Sequence, residues 1–247
     1  MRMNLLATLA LAPSLLAVMP SCTTQPDDEL GTESAADGED GKGDAAGAFT
    51  FYTVTADLRA CSLNSPGDCG VGFFVARANR SSTQCGRGAA QSQCKVMTID
   101  WAGTAMPSSV AKSYETSLRS GKPLIVRGSL VPAANDAGTT LAAQEIWVAN
   151  KPESEAGVFT LVHDNGIRCV RAPCPSLTER RLNSNLSAQL TSVDFDASGA
   201  TPSAVELARE AMFGDGLIIV GYRGYDGEGG KTRSADKFYT RAPVPLH

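Results

Sequence analysis

Histidine is almost missing from this chain: its 247 residues include two, His163 and His247. So few leave little room for a histidine-rich metal centre. An excess of basic charge is missing as well. Lysine and arginine number 22 against 26 acids, a net charge of −4, which argues against a general nucleic-acid binder. The apolar run from Leu5 to Met19 covers 15 residues and is broken by Pro13, too short to span a bilayer comfortably. No Gly-x-Ser-x-Gly elbow marks a serine hydrolase. What the chain does have is seven cysteines and 43% hydrophobic residues, enough core for one domain or two small ones.

The N-terminus reads as an export signal. Arg2 precedes the apolar run, and small residues follow it. Val18-Met19-Pro20-Ser21-Cys22 resembles a bacterial lipobox, with Met19 where leucine is usual. The resemblance implies removal of residues 1–21 and lipidation of Cys22. Thr23 follows, without the aspartate that retains such proteins at the inner membrane, so the expected place is the outer membrane. Acyl chains contribute about 0.8 kcal/mol per buried methylene, so a multiply acylated cysteine anchors almost permanently. Simple secretion is the alternative.

Residues 22–48 then form an acidic tether. Eight acids (Asp27, Asp28, Glu29, Glu33, Asp37, Glu39, Asp40 and Asp44) face Lys42 alone, with Leu30 the one sizeable apolar residue. Such a segment buries too little surface to offset its chain entropy and is expected to be disordered. It would reach about 28 Å root-mean-square. Asp37 to Asp44 lacks the ligand spacing and final glutamate of an EF-hand. Without Arg2 and the tether, the body keeps 20 basic and 18 acidic residues, a net charge of +2. The acidity belongs to the leash.

The body, residues 49–247, carries matching segments. Phe51-x-x-Val54 with Cys61 matches Phe159-x-x-Val162 with Cys169, both at an offset of 108. Ile99-Asp100-Trp101 matches Val193-Asp194-Phe195 at 94, and Pro107-Ser108 matches Pro202-Ser203 at 95. Gly121-x-x-Leu124-Ile125-Val126 matches Gly214-x-x-Leu217-Ile218-Ile219 at 93. Four matches in order predict two β-rich repeat domains, 49–150 and 151–247. Each reads as strand-strand-strand-helix-strand-strand. The strands of the first fall near 49–58, 72–78, 95–101, 124–130 and 145–149. Its helix runs from Pro107 to Ser120, closed by Gly121, with Val110, Ala111, Tyr114 and Leu118 on the buried stripe. The second repeats this near 158–163, 177–182, 190–195, 217–222 and 237–241, with a helix from Pro202 to Phe213 between Thr201 and Gly214. The fold class is a β-rich α+β one: tandem duplicated, disulfide-stapled antiparallel domains. Their element order is that of the OB barrel, and an open sheet with one helix would give it too.

With Cys22 assigned to the membrane, six cysteines remain, and sequence alone permits 15 pairings. The matching segments narrow them to local pairs: Cys61 with Cys69, Cys169 with Cys174, and Cys85 with Cys94 stapling a hairpin peculiar to the first domain. Each short loop is worth about 2–3 kcal/mol in the chain-entropy model. A zinc site is the rival, disfavoured in an exported chain with no histidine nearby.

Chemistry is harder to find. Asp164-Asn165-Gly166-Ile167-Arg168-Cys169-Val170-Arg171-Ala172-Pro173-Cys174-Pro175 reads as a turn and a stiff closed loop presenting Arg168 and Arg171, braced by Pro173 and Pro175. Preorganised loops of this kind suit proteinase inhibitors; a plain structural staple fits equally. His163 and Asp164 are adjacent on a strand and so face opposite ways, a poor acid-base pair. Gly224 to Thr232 is glycine-rich, but Tyr225 breaks the phosphate-loop pattern and a strand follows. Asp100 and Asp194 occupy matching places, either as paired acids or as caps ending the third strands. Trp101, Trp147, Phe195 and Phe238 read as core rather than as a sugar-stacking platform.

At Cys61…Cys69-Gly-x-Gly-Phe-Phe-Val and Asp-Asn-Gly-Ile-Arg-Cys…Pro-Cys-Pro-Ser with Leu182-Asn183, the chain resembles an uncharacterised family of exported bacterial proteins. That resemblance implies export and the cysteine pattern, and transfers no catalytic residue. The reading is a membrane-tethered, non-catalytic binding or structural lipoprotein of the cell envelope. The rivals are a proteinase inhibitor acting through the Cys169–Cys174 loop and a hydrolase using carboxylates alone. No catalytic residue, metal or cofactor is assigned. The expected partners are the membrane, through Cys22, and an envelope protein or glycan; nucleic acid is not expected, and the body is expected to be a monomer.

Overall fold

A computed structural model describes residues 49–59, 70–86, 89–132, 138–152 and 157–243. The expected signal and tether, and with them Cys22, as well as the expected Cys61–Cys69 pair, lie outside the described residues. Among those described, the first half contains β1 (Thr50–Ala56), β2 (Phe73–Arg77), β3 (Thr83–Gln84), β4 (Ala90–Gln91), β5 (Cys94–Val96) and β6 (Thr98–Asp100). A 3-10 turn at Ala102–Thr104, α1 (Ser108–Arg119), β7 (Leu124–Pro132) and β8 (Thr139–Ala149) follow. The second half contains β9 (Val158–Asp164), β10 (Leu177–Arg181), β11 (Ser187–Leu190) and β12 (Ser192–Asp194). It continues with a 3-10 turn at Asp196–Ser198, α2 (Pro202–Phe213), β13 (Leu217–Tyr225) and β14 (Lys231–Arg241).

Twelve strands join one mostly antiparallel sheet in the order β11-β10-β9-β13-β14-β8-β7-β1-β2-β5. β3 and β4 form a separate hairpin. In the first half β6 also pairs with β8 in parallel, and in the second β12 pairs with β14 in parallel. The expected third strand is therefore broken in two in each half, at Met97 and at Thr191. One segment pairs with β2 or β10 and the next bends across to β8 or β14.

Strands β7 and β13 show why apolar runs appear where alternation was expected. Leu124 and Val126 pack into a cluster with Val54, Val75, Val96 and Leu118, while Ile125 between them packs with Trp147, Ile218 and Tyr239. Leu217 and Ile219 likewise join Val162, Leu190 and Phe238, while Ile218 and Val220 face the shared cluster. Side chains alternate between faces with period two, and both faces here are buried. Each half thus has its own core, and a third core fills the joint.

The joint is also tied by hydrogen bonds. β8 and β14 pair antiparallel through Tyr239 with Ala149, Thr240 with Val148 and Arg241 with Trp147. Asn183, at φ 56°, accepts from the Phe51 amide at 2.9 Å and donates to the Phe51 and Ala78 carbonyls at 2.8 and 2.9 Å. Asn79, at φ 59°, accepts from the Phe159 amide at 2.8 Å and donates to the Phe159 and Leu182 carbonyls at 2.7 and 3.1 Å. Each half lends an asparagine to the other. The side-chain amide, an acceptor and donor in one plane, pairs with backbone as another strand would.

Helix α1 ends as expected. Gly121 is left-handed at φ 84°, and the Gly121 and Lys122 amides bond back to Leu118 and Ser117. Helix α2 has the expected cap, Thr201 Oγ1 accepting from the Ala204 amide at 3.3 Å. Gly214, however, is not left-handed at φ −113°; Gly216, at φ 92°, supplies that conformation. β8 and β14 start six residues earlier than expected. Their Thr-, Ala- and Lys-rich beginnings carry little apolar signal, and it is pairing with the long β7 and β13 that extends them. A bulge lies at matching places in these pairs, at Arg127/Gly128 and Val220/Gly221. A Cβ on Gly128 would run into the Ala142 carbonyl, and one on Gly221 into that of Ser234. Among the described residues there are two disulfides, Cys85–Cys94 and Cys169–Cys174, with Cα atoms 5.4 and 5.5 Å apart.

Candidate functional site

A groove of about 410 Å³ opens where β1, β7 and β8 of one half meet β9, β10 and the end of β14 of the other. Five arginines line it (Arg80, Arg127, Arg180, Arg181 and Arg241) against two carboxylates, Glu145 and Asp215. Strand pairing assembles the set. Arg127 and Glu145 are cross-strand neighbours at the bulge, with Nη1 2.9 Å from Oε1. The Arg127 guanidinium lies over the rings of Phe49 and Phe51, 5.8 and 5.9 Å from their centroids. Arg241 arrives on β14 opposite Trp147; it reaches Asp215 at 2.6 Å and Glu145 at 3.6 Å. Arg80 follows the β2 end and donates to the Asn183 carbonyl at 2.6 and 3.1 Å.

Both carboxylates are therefore held by guanidinium groups, whereas Arg180 and Arg181 have no carboxylate partner among the described residues. Arg181 Nε and Trp147 Nε1 are buried and make no hydrogen bond. A guanidinium presents five donors in a planar fork matched to carboxylate or phosphate oxygens. The groove is thus rich in donors and positive charge. Its chemistry is that of holding anions.

A second charged cluster is buried in the second half. Glu179 on β10 accepts from Arg223 Nε at 2.6 Å and from Arg233 Nε at 2.8 Å, and Arg233 also donates to the Gly221 carbonyl at 3.0 Å. Glu179 and Arg233 are almost wholly enclosed. No sequence signal marked this triad, since its members lie on three strands and look like ordinary alternating surface charge.

The Cys169–Cys174 loop lies elsewhere, and none of its residues lines the groove. Arg168 is tied back to Asp164 at 2.8 and 3.2 Å, while Val170 and Arg171 are exposed. Pro173 is exposed and Pro175 half-buried. Asn165 closes the base, donating to the Pro175 carbonyl at 2.8 Å and accepting from the Ile167 amide at 2.9 Å. The Arg168 hydrogen bond, helped by the Gly166 amide, holds the Asp164 carboxyl below its ordinary range. Asp164 therefore serves Arg168 rather than His163.

The glycine-rich segment is the β13–β14 turn, and its amides are already engaged. Asp226 accepts from the Gly230 amide at 2.7 Å, from Glu228 at 2.9 Å and from the Thr191 hydroxyl at 3.1 Å. These bonds, Gly230 first, lower its pKa. Asp100 and Asp194 cap the turns to their helices, accepting from Ala102 at 3.0 Å and Asp196 at 2.9 Å. Trp147, Phe195 and Phe238 are buried; Trp101 is half-buried and donates to Glu115 at 2.9 Å. Asp57 is enclosed, and Arg59 hydrogen bonds hold its carboxyl far below the usual range, with Lys95 3.5 Å away. The enclosed acids, Asp57 and Glu179, thus sit in separate ion clusters, and among the described residues no group of three His, Cys, Asp or Glu is placed to hold a metal ion.

Fold and groove together define a β-sheet protein with an arginine-lined groove at the joint of its two halves. The chain matches a family model, DUF6748, a domain of unknown function, over residues 50–243, and it belongs to that family. The match covers both halves. No curated protein and no solved structure matches the chain. Among the described residues no helix is long and apolar enough to cross a membrane.

Proposed function

We propose that this protein is a non-catalytic extracytoplasmic binding lipoprotein, held to the envelope by lipid on Cys22 and binding its partner in the arginine-lined groove. The observation that carries the reading is the groove: five arginines gathered from β7, β10, β14 and the segment after β2, two of them without a carboxylate among the described residues. Scattered surface charges settle into exposed pairs; converging, uncompensated ones await an anion. The tether suits this role, since it would let a fixed anchor present the body some tens of ångströms away.

We also read the two halves as copies of one OB-like barrel. Supporting this are the same element order apart from the extra β3–β4 pair in the first half, the parallel pairs β6–β8 and β12–β14, the matching bulges, and the exchanged asparagines. In each half the paired strands follow one order, β8-β7-β1-β2-β5 with β6 beside β8 and β14-β13-β9-β10-β11 with β12 beside β14, which is what supports the barrel reading. A five-stranded ring with a helix before its fourth strand is the OB arrangement.

The test uses the full chain in its own cells. Cys22→Ser is expected to move the protein from the membrane to the soluble fraction, whereas unchanged fractionation would end the lipoprotein reading. Photo-crosslinking from the groove is expected to capture an envelope component with the native chain and lose it with Arg180→Glu plus Arg181→Glu. Equal capture by both would remove the groove as the binding site.

One observation favours a second reading, the proteinase inhibitor: Val170 and Arg171 stand exposed on a loop closed by Cys169–Cys174. Arg168→Ala with Arg171→Ala would then abolish inhibition of a trypsin-like panel. No inhibition by the native chain ends that reading.

A further inference from the structure

We infer that the groove takes an acidic glycan, a sugar chain bearing carboxylates; this rests on the binding reading above and specifies its ligand. Three observations lead there. The first is size. At about 410 Å³ the groove falls in the range of sites for multi-group ligands and exceeds what a single small anion fills.

The second is that the charge is not a by-product of the joint. The place Arg127 takes beside its bulge in β7 belongs to Val220 in β13, and the place of Arg180 in β10 belongs to Ala76 in β2. Arg77 stands in the first half where Arg181 stands in the second, but Arg127 and Arg180 have no such counterpart, and the joint is still made there, so stability does not demand those two.

The third is the company the arginines keep. Phe49 is half exposed at the groove and fixes Arg127 against its ring, offering an apolar face beside a guanidinium. Ser184 and Asn185 line the same groove with neutral polar groups suited to hydroxyls. Aromatic face, hydroxyl partners and carboxylate forks match the three surfaces of a uronate: its C–H face, its hydroxyls and its carboxylate. A simple polyphosphate would use the forks and ignore the rest. Arg181 adds strength, since its Nε is already shielded from water and the anion meets a charge whose desolvation is partly complete.

Calorimetric titration of the purified full chain tests this, with oligomers of galacturonate, mannuronate and a glucuronate-containing disaccharide repeat, plus their methyl esters and polyphosphate. At least one uronate oligomer is expected to bind with an affinity that falls steeply as salt rises, and its methyl ester is expected not to bind. Arg180→Gln with Arg181→Gln should weaken it about tenfold or more. Phe49→Ala should weaken the uronate and leave polyphosphate unchanged, while Arg209→Gln on α2, outside the groove, changes neither. The inference is overturned if no uronate binds, if the esters bind as well, or if polyphosphate matches the uronates and Phe49→Ala affects neither. If the titrations fail while crosslinking remains groove-dependent, the ligand class falls and the binding site stands. If both fail, so do both readings.

Discussion

The two halves share strand pairings but fill the same layer with opposite chemistry. In the first half Val75, Leu130 and Leu141 pack together within an aliphatic core. The positions in register with them in the second half hold Glu179, Arg223 and Arg233: Val54 faces Val75 as Val162 faces Glu179, and Leu130 faces Leu141 as Arg223 faces Arg233. One framework accepts either solution. The backbone hydrogen bonds and the rest of each core specify the architecture, and this layer is free to vary. A buried ion triad is weak evidence of stability, because desolvation cancels much of the Coulomb gain. Once present, though, its members depend on one another.

The largest effect should come from breaking that dependence. Glu179→Val, which copies the first half at one position, leaves Arg233 buried without its counter-ion and should cost about 3–5 kcal/mol in urea unfolding. Copying all three, Glu179→Val with Arg223→Leu and Arg233→Leu, should restore that loss and be neutral or stabilising by about 1–4 kcal/mol. A triple variant less stable than the single one would mean the layers are not interchangeable.

A smaller effect is expected at the joint, where the halves behave alike. Asn79→Ala and Asn183→Ala each strand backbone groups of the opposite half and should each cost about 1–3 kcal/mol. Similar losses sharpen the view of an exchanged clasp. A large loss at Asn183 with none at Asn79 would make the joint one-sided, as the groove is.

The smallest effect concerns acid. Asp57 ends its strand where Asn165 ends the matching one; their amides bond to Gly72 and Ser176 in the same way. The depressed Asp57 pKa stabilises the fold above the unfolded carboxylate value near 4. That contribution fades as pH falls below it, because the unfolded chain takes up the proton more readily. Asp57→Asn should therefore flatten the drop in Tm between about pH 5 and pH 2. An unchanged slope would assign the acid sensitivity to other carboxylates, Asp164 and Asp226 among them.

Much of the scaffold was readable in the residues. Proline and glycine bracket α1, Thr201 caps α2, and apolar runs mark β7 and β13, because these signals act within a few residues. The Cys85–Cys94 and Cys169–Cys174 pairs followed from the matching segments, which left each pair to close locally. A stapled hairpin near Cys85 and Cys94 was expected and the β3–β4 pair lies there, but the early starts of β8 and β14 were not readable. Their polar and alanine-rich residues carry no periodic signal, and partner strands hold them in place. Leu182-Asn183 stood out as part of a signature, but its task did not. Asn79, at the matching position after β2, was the overlooked clue: an asparagine in the same place in both halves.

The one-dimensional chain thus carried local matters: where the two helices begin and end, that Cys85–Cys94 and Cys169–Cys174 close locally, and that the net acidity sits in residues 22–48 rather than in 49–247. These depend on backbone preference and near neighbours. The tertiary structure alone decided the groove and the buried triad. Arg80, Arg127, Arg180, Arg181 and Arg241 are spread over 162 residues and meet because β8 pairs with β14 across the joint. Charge acts through space, and only the fold sets those distances.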